Sequence, residues 1–345
     1  MVVRAGTAYS VLPAERNVIA IPMPATVNSA LIEAIDLQQC LPFPLRLPET
    51  LITRIAAGMS GAGVYRIDAG NKLSVLKITP RDEPILTWRI KMQVQQSAAD
   101  AGIAPQLIHV DESRRAVLSD LIVDKSFPAL LGNPVTREGA IVALGKMLRR
   151  LHDLPIPDGL QPADAIGVLN TIWNSVPSGF VLPLFVRQAV EELRATPVAG
   201  TGALMMSHND VNPTNLVFDG ERVMLLDWQT IAPNDPYYDL AAIAMFFRLD
   251  DGACRTLIAA HDDAPAEVIP GAITYYRRFA AVLSGVAALQ MAGLRGHAGG
   301  DVAADETLSL GDVYQRMRSG TFDIGSVSGQ WVFGLALVKE GAVVG

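Results

Sequence analysis

A change of hydrophobic period along this chain, from two to helical, constrains its architecture more than any other feature. Leu51 to Ala56, Gly63 to Asp68 and Leu73 to Ile78 carry the period of two that marks half-buried strands. Ala69-Gly70-Asn71-Lys72 reads as a tight hairpin turn between the last two. Trp88 to Ala101 reads as a helix closed by Gly102, and Leu107 to Asp111 with Ala116 to Leu121 complete a small antiparallel sheet. From Thr136 the period becomes helical, over Glu138 to Leu151, Phe185 to Arg194, Tyr238 to Phe247, Pro270 to Leu294 and Leu308 to Met317. This order predicts an α+β chain of two lobes, the first β-rich and the second mainly helical, with a boundary near 122–135. The alternative is a single α+β domain. Ahead of the sheet, residues 1–24 read as an irregular arm and Asn28 to Gln39 as a helix, broken by the prolines of Leu41 to Pro48. The expected division is 1–50 for arm and helix, 51–125 for the first lobe and 126–345 for the second.

Half of the residues are hydrophobic and the mean hydropathy is +0.28, so membrane insertion has to be considered. Charged residues, proline or glycine break every apolar run before it reaches spanning length, and Leu283 to Leu294 reads as a buried helix. A net charge of -7 argues against a nucleic-acid partner. The two cysteines, Cys40 and Cys254, make neither a disulfide framework nor a metal cluster. The start of the chain lacks a signal-peptide pattern, so a reducing cytoplasm is expected. Nothing in the sequence assigns an oligomeric state.

The densest chemistry lies in Ser207-His208-Asn209-Asp210-Val211-Asn212-Pro213-Thr214-Asn215, which leads into the strand-like Leu216-Val217-Phe218. Val223-Met224-Leu225-Leu226 then delivers Asp227-Trp228. A lone aspartate is more often a cap or turn residue than a catalyst. A charge at the end of a buried strand, however, needs a partner or a metal. Asp210 is expected to orient an acceptor hydroxyl and take its proton late in transfer. Asn215 and Asp227 are expected to hold Mg²⁺ against the β- and γ-phosphates of ATP, since oxygen donors suit a hard cation. His208 is expected to support the site through a bond to a backbone carbonyl near Asp227, with direct proton transfer as its other catalytic role. Asn209 and Asn212 read as turn formers beside Pro213.

The first lobe is expected to bind the nucleotide. Gly58, Ser60, Gly61 and Gly63 lie where two strands join, and glycines there permit a backbone to approach phosphate closely. Strand turns often contain glycine for other reasons, and no Gly-Lys-Ser/Thr element is present. Lys77 adds weight, because a lysine inside the apolar run Ser74-Val75-Leu76-Lys77-Ile78 needs solvent or an anion for its ammonium.

Together these segments resemble the small-molecule kinases of the protein-kinase-like fold, the aminoglycoside phosphotransferases and choline/ethanolamine kinases. The resemblance runs from about Leu51 to Phe247. It rests on the glycine loop, Val75-Leu76-Lys77, Leu148 to Pro155, His208-Asn209-Asp210 with Asn215, Leu226-Asp227-Trp228, and Asn234 to Ala241. It implies a bilobal fold and transfer from ATP to a small-molecule hydroxyl. It also implies a structural Asp239 that bonds near the loop, and a His152 that closes a helix. The family usually has a glutamate on the first-lobe helix to pair with the lysine. The matching position here is expected to be Gln93, which can accept a hydrogen bond without neutralising the charge.

The acceptor is less determined. Asn209 and Asp227-Trp228-Gln229 resemble the choline/ethanolamine side, where an amino alcohol is the acceptor. An aminoglycoside, another antibiotic or a sugar is the alternative, and a non-catalytic nucleotide-binding protein of the same fold is the contrasting class. An amine needs an aromatic cage or carboxylates, for which Trp228, Tyr237, Tyr238, Tyr275, Tyr276 and Trp331 are candidates. Asp250, Asp251, Asp262, Asp263 and Glu267 can make an acidic rim or simply a solvated loop.

Overall fold

The computed structural model describes residues 37–55, 62–70, 72–196, 200 and 202–343. The expected first helix lies outside them apart from its end, where Leu37–Cys40 is a single 3-10 turn. Gly58, Ser60 and Gly61 also lie outside the described residues.

Five strands form one antiparallel sheet: β1 (Leu51–Arg54), β2 (Gly63–Ala69), β3 (Lys72–Ile78), β4 (Leu107–Asp111) and β5 (Ala116–Asp120). Their order is β1-β2-β3-β5-β4, so β3 is central. Lys77 on β3 lies between Val64 and Val117. Alternation sends Leu76 and Ile78 to one face, where they pack with Tyr65, Ile67, Leu118 and the preceding Leu41. Lys77 points to the other face, toward the second lobe. Helix α1 (Ile85–Asp100) follows β3 and begins three residues earlier than its apolar pattern suggests. Pro84 precedes it, and a proline fixes φ at a helical entry.

The described second lobe is helical: α2 (Phe127–Gly132), α3 (Arg137–His152), α4 (Ala165–Asn174), α5 (Leu184–Ala195), α6 (Tyr237–Phe246), α7 (Asp251–Asp262), α8 (Gly271–Leu294), α9 (Leu310–Arg318) and α10 (Val327–Val343). The apolar run ending at Leu294 belongs to α8, whose residues are mostly buried. No described helix is long and apolar enough to cross a membrane. Between α5 and α6 lie two small antiparallel pairs. Strand β6 (Met205–Ser207) pairs with β9 (Ala232–Asn234), and β7 (Leu216–Phe218) pairs with β8 (Val223–Leu225). The link between the lobes lies along β7. The N–H of Lys125 donates to the carbonyl of Phe218 at 2.7 Å, and the carboxylate of Asp124 accepts the N–H of Phe218 at 3.1 Å.

Helices α2, α4, α7 and α10 are absent from the sequence reading, α7 and α10 for different reasons. Asp250 reads in sequence as part of an acidic rim or loop, but its carboxylate accepts the N–H of Ala253 as the N-cap of α7. Asp263, at φ 52, ends the same helix. Helix α10 is studded with glycines, which count against a helix by propensity. Here they allow contact: a Cβ on Gly334 would lie 2.8 Å from the carbonyl of Gly285 on α8.

Candidate active site

The candidate side chains converge where the pairs β6–β9 and β7–β8 open toward the sheet. The backbone of Asn215 accepts the N–H of Leu226 at 2.8 Å, which sets Asn215 and Asp227 at the same open end of the β7–β8 hairpin. Asp227 has φ 62, a left-handed conformation that aspartate tolerates better than most side chains. It starts the 3-10 turn Trp228–Thr230.

Asp210 is held on both sides. Asn212 donates its amide to one carboxylate oxygen at 2.9 Å, and Asn215 donates to the other at 2.9 Å. Asn212, expected only as a turn former, thus fixes the candidate base. It keeps its own orientation because its side-chain oxygen accepts from the N–H and hydroxyl of Thr214. Burial pushes the Asp210 carboxyl above the ordinary carboxylate range and the charge of Asp227 adds to this, while His208 and the two amides pull the other way.

The loop carrying Asp210 hangs from Asp239, a fully buried carboxylate at the start of α6. Its oxygens accept the backbone N–H of His208 at 2.7 Å and of Asn209 at 2.9 Å. Behind it, His152 at the end of α3 lies 3.4 Å from Asp239 and 2.7 Å from His261, which in turn lies 2.6 Å from Asp262. Burial pushes the His261 imidazole down, and the charge of His152 adds to that. Asp262 is therefore tied to His261 and Tyr237.

His208 donates from Nε2 to the carbonyl of Leu226 at 3.0 Å, and Trp228 packs edge-on against its ring. Its Nδ1 has no partner among the described residues. The ring thus ties the loop of Asp210 to the strand end that presents Asp227. Asn209 does the same from the other side. At φ 63, it donates its amide toward the carbonyls of Ser207, Thr230 and Ala232, and accepts from Asn234. Backbone conformation favours glycine or asparagine at this position. Trp228, at 3% exposure, belongs to the core and does not form a cage.

The sheet closes the site from above. Lys77 Nζ lies 2.6 Å from Asp227 Oδ1, an ion pair between lobes. Burial pushes the Asp227 carboxyl up, but the charge and hydrogen bond of Lys77 outweigh it and leave the group below the usual range. Gln93 is exposed, so the pairing expected between it and Lys77 is not the one made. The helix turns Trp88, Val94 and Ala98 inward, and Gln93 falls off that stripe. Gly63 is buried at the start of β2, opposite Ile78 and beside Lys77 in the sheet.

The donor set is compatible with a hard divalent cation. Asn215 uses its amide nitrogen on Asp210, which leaves its oxygen for a cation beside the Asp227 carboxylate. Among the described residues no group of three or more His, Cys, Asp or Glu gathers around a metal position. The protein would thus offer two ligands, with phosphate oxygens and water completing the shell.

Residues 51–276 match the phosphotransferase enzyme family. No curated protein matches the chain. The fold is similar to that of a choline/ethanolamine kinase family protein from Mesorhizobium loti, at 18% identity and a TM-score of 0.56, over 90% of this chain and 97% of that one. It is also similar to choline kinase LicA from Streptococcus pneumoniae, at 17% identity and 0.57, over 79% and 94%. A macrolide 2'-phosphotransferase from Brachybacterium faecium shares it at 15% identity and 0.50, over 72% and 88%. At these identities the likeness is one of fold.

Proposed function

The chain belongs to the phosphotransferase enzyme family, and we propose that it transfers the γ-phosphoryl group of ATP to a hydroxyl of a small molecule, an amino alcohol like choline or ethanolamine. The family supports a general ATP-dependent phosphotransferase activity. One observation carries the finer reading. Lys77 from the sheet meets Asp227 from the helical lobe at 2.6 Å, beside an Asp210 whose two oxygens are both held by amides.

In the free site Lys77 and Asp227 neutralise each other. A metal-bound nucleotide offers each a replacement of the same sign: phosphate oxygens for Lys77 and a cation for Asp227. The exchange avoids leaving either charge unpaired in a half-buried cleft. Asn215 and Asp227 would hold Mg²⁺, which when bound neutralises charge on the β- and γ-phosphates. Asp210 orients the acceptor hydroxyl and receives its proton late in the transfer. Asn212 and Asn215 aim that carboxylate, and Asp239 holds the loop beneath it. His208 ties the two loops together through the carbonyl of Leu226, which favours a positioning role over direct proton transfer.

The amino-alcohol assignment draws support from the choline and ethanolamine kinases among the fold relatives. Antibiotic phosphotransferases share the fold, so an aminoglycoside, another antibiotic or a sugar is the alternative. Incubation with Mg-ATP and a panel of choline, ethanolamine, aminoglycosides, a macrolide and simple sugars, read by phosphorus NMR, tests the reading. A phosphate monoester on choline or ethanolamine is expected. A monoester on an antibiotic or sugar alone would overturn the acceptor assignment. Magnesium-dependent nucleotide binding with no product on any acceptor would overturn the enzyme reading.

A further inference from the structure

Two lysines of the first lobe reach the turn that starts at Asp227. Lys77 takes its carboxylate. The second, Lys91, lies on α1 three residues after the buried Trp88 and three before the buried Val94, on the inward stripe that Gln93 misses. Its ammonium donates to the carbonyl of Gln229 at 2.7 Å and also bonds to the carboxylate of Glu83. The Lys91 side chain is 17% exposed and that of Glu83 27%, so both charges are substantially withdrawn from water.

Both ends of this contact are anchored. Glu83 precedes the helix, and its backbone carbonyl accepts from the guanidinium of Arg115 at 2.8 Å. Arg115 lies over the ring of Trp88 at 5.3 Å, and the indole N–H of Trp88 donates to Thr79 at 2.9 Å at the end of β3. At the other end, Gln229 is bound through both sides of its residue. Its carbonyl faces Lys91, and its backbone N–H is among the groups that hold the Asp227 carboxyl down. A shift of α1 relative to the second lobe would therefore pull on Gln229, the residue whose N–H bonds to the Asp227 carboxylate.

We propose that Lys91 is a positioning residue for the metal-binding turn. It latches α1 to the carbonyl of Gln229, with Glu83 as its counter-charge, and so holds Asp227 in the conformation that receives the cation. This rests on the reading of Asp227 as a metal ligand. The helix contributes a cation bound to the turn, where the neutral Gln93 facing Lys77 was expected. Lys77 thereby stays free to exchange Asp227 for phosphate, while Lys91 keeps the turn in place.

Calorimetric titration of ADP, with and without Mg²⁺, tests the latch without depending on turnover. In the wild-type protein Mg²⁺ strengthens ADP binding. In Lys91→Met that strengthening falls about five- to tenfold, within the range for an ordinary intramolecular hydrogen bond. Metal-free ADP affinity stays close to wild type, since Lys77 is untouched. Lys91→Arg, which still donates to both partners, restores most of the metal effect. Glu83→Gln leaves the ammonium without its counter-charge and gives a smaller loss, about two- to threefold. It carries the test should Lys91→Met fail to fold. An undiminished metal effect in the folded Lys91→Met or Glu83→Gln variant overturns the latch. A wild-type protein whose ADP binding ignores Mg²⁺ overturns the metal role of Asp227 and the latch with it.

Discussion

The two sides of the cleft hold their charges in opposite ways. On the helical side, Asp210 and its loop sit in a lattice of short-range hydrogen bonds: two amides on its carboxylate, two backbone N–H groups on Asp239, and Asn209 stitching the loop to β9. On the sheet side, two long lysine side chains reach across the gap to Asp227 and Gln229. The lattice is built within one lobe and exists before any substrate arrives. The lysine contacts depend on how the lobes meet. The proposed base is thus preorganised within one lobe, whereas the proposed metal position depends on contacts between lobes, an arrangement that suits a reaction catalysed by placement and charge.

Asp210→Asn breaks the comparison at its strongest point. The amide keeps the size but loses the negative charge, and one of its contacts to Asn212 or Asn215 must rearrange. Transfer should fall by about 10²- to 10⁴-fold, the usual weight of a positioned base, with nucleotide affinity kept because the sheet side is intact. Single-turnover rates and ADP titration read the two effects. A wild-type rate would remove the base assignment.

Asn209 separates backbone from side chain in the lattice. Asn209→Gly tolerates φ 63 but loses the stitches to Ser207, Thr230 and Ala232. A loss of about 1 kcal/mol in chemical-unfolding stability is expected. Asn209→Ala loses the same bonds and adds left-handed strain, so it should cost roughly 1 kcal/mol more. Equal stability of the glycine variant and wild type would show that the stitches contribute little.

The smallest effect concerns acid. Asp210 is raised above the ordinary carboxylate range and Asp227 is lowered below it. A carboxyl with a raised pKa takes up its proton first as pH falls. Transfer should therefore be lost at a higher pH than magnesium-dependent nucleotide binding. Acid limbs of single-turnover rate and of Mg-ADP affinity that coincide would contradict the split.

What was legible in the sequence was mainly local. The loop from His208 to Asn215 and the strand end at Asp227 form over short spans, so their residues could be read in place. The sheet was equally clear, because β2 and β3 flank the tight turn read at Ala69 to Lys72, and β4 and β5 are joined by the short link 112–115. Facing was harder. Counting along α1 picked Gln93, but only the packing of Trp88 and Val94 shows that Lys91 is the residue turned toward the site. Asn212 looked like any turn former until its amide met Asp210. The acids around α7 looked like a rim because capping and turn-forming aspartates are identical in sequence. Helix α10 was hidden because its glycines matter only once α8 lies against them.

Asp227 is proposed to receive the metal of a metal-bound nucleotide in this cleft. Titration of a non-hydrolysable ATP analogue into wild-type protein and Asp227→Ala, with and without Mg²⁺, tests it most directly. Mg²⁺ is expected to strengthen binding to the wild type and to have no such effect on a folded Asp227→Ala. Equal strengthening by Mg²⁺ in both proteins would contradict it.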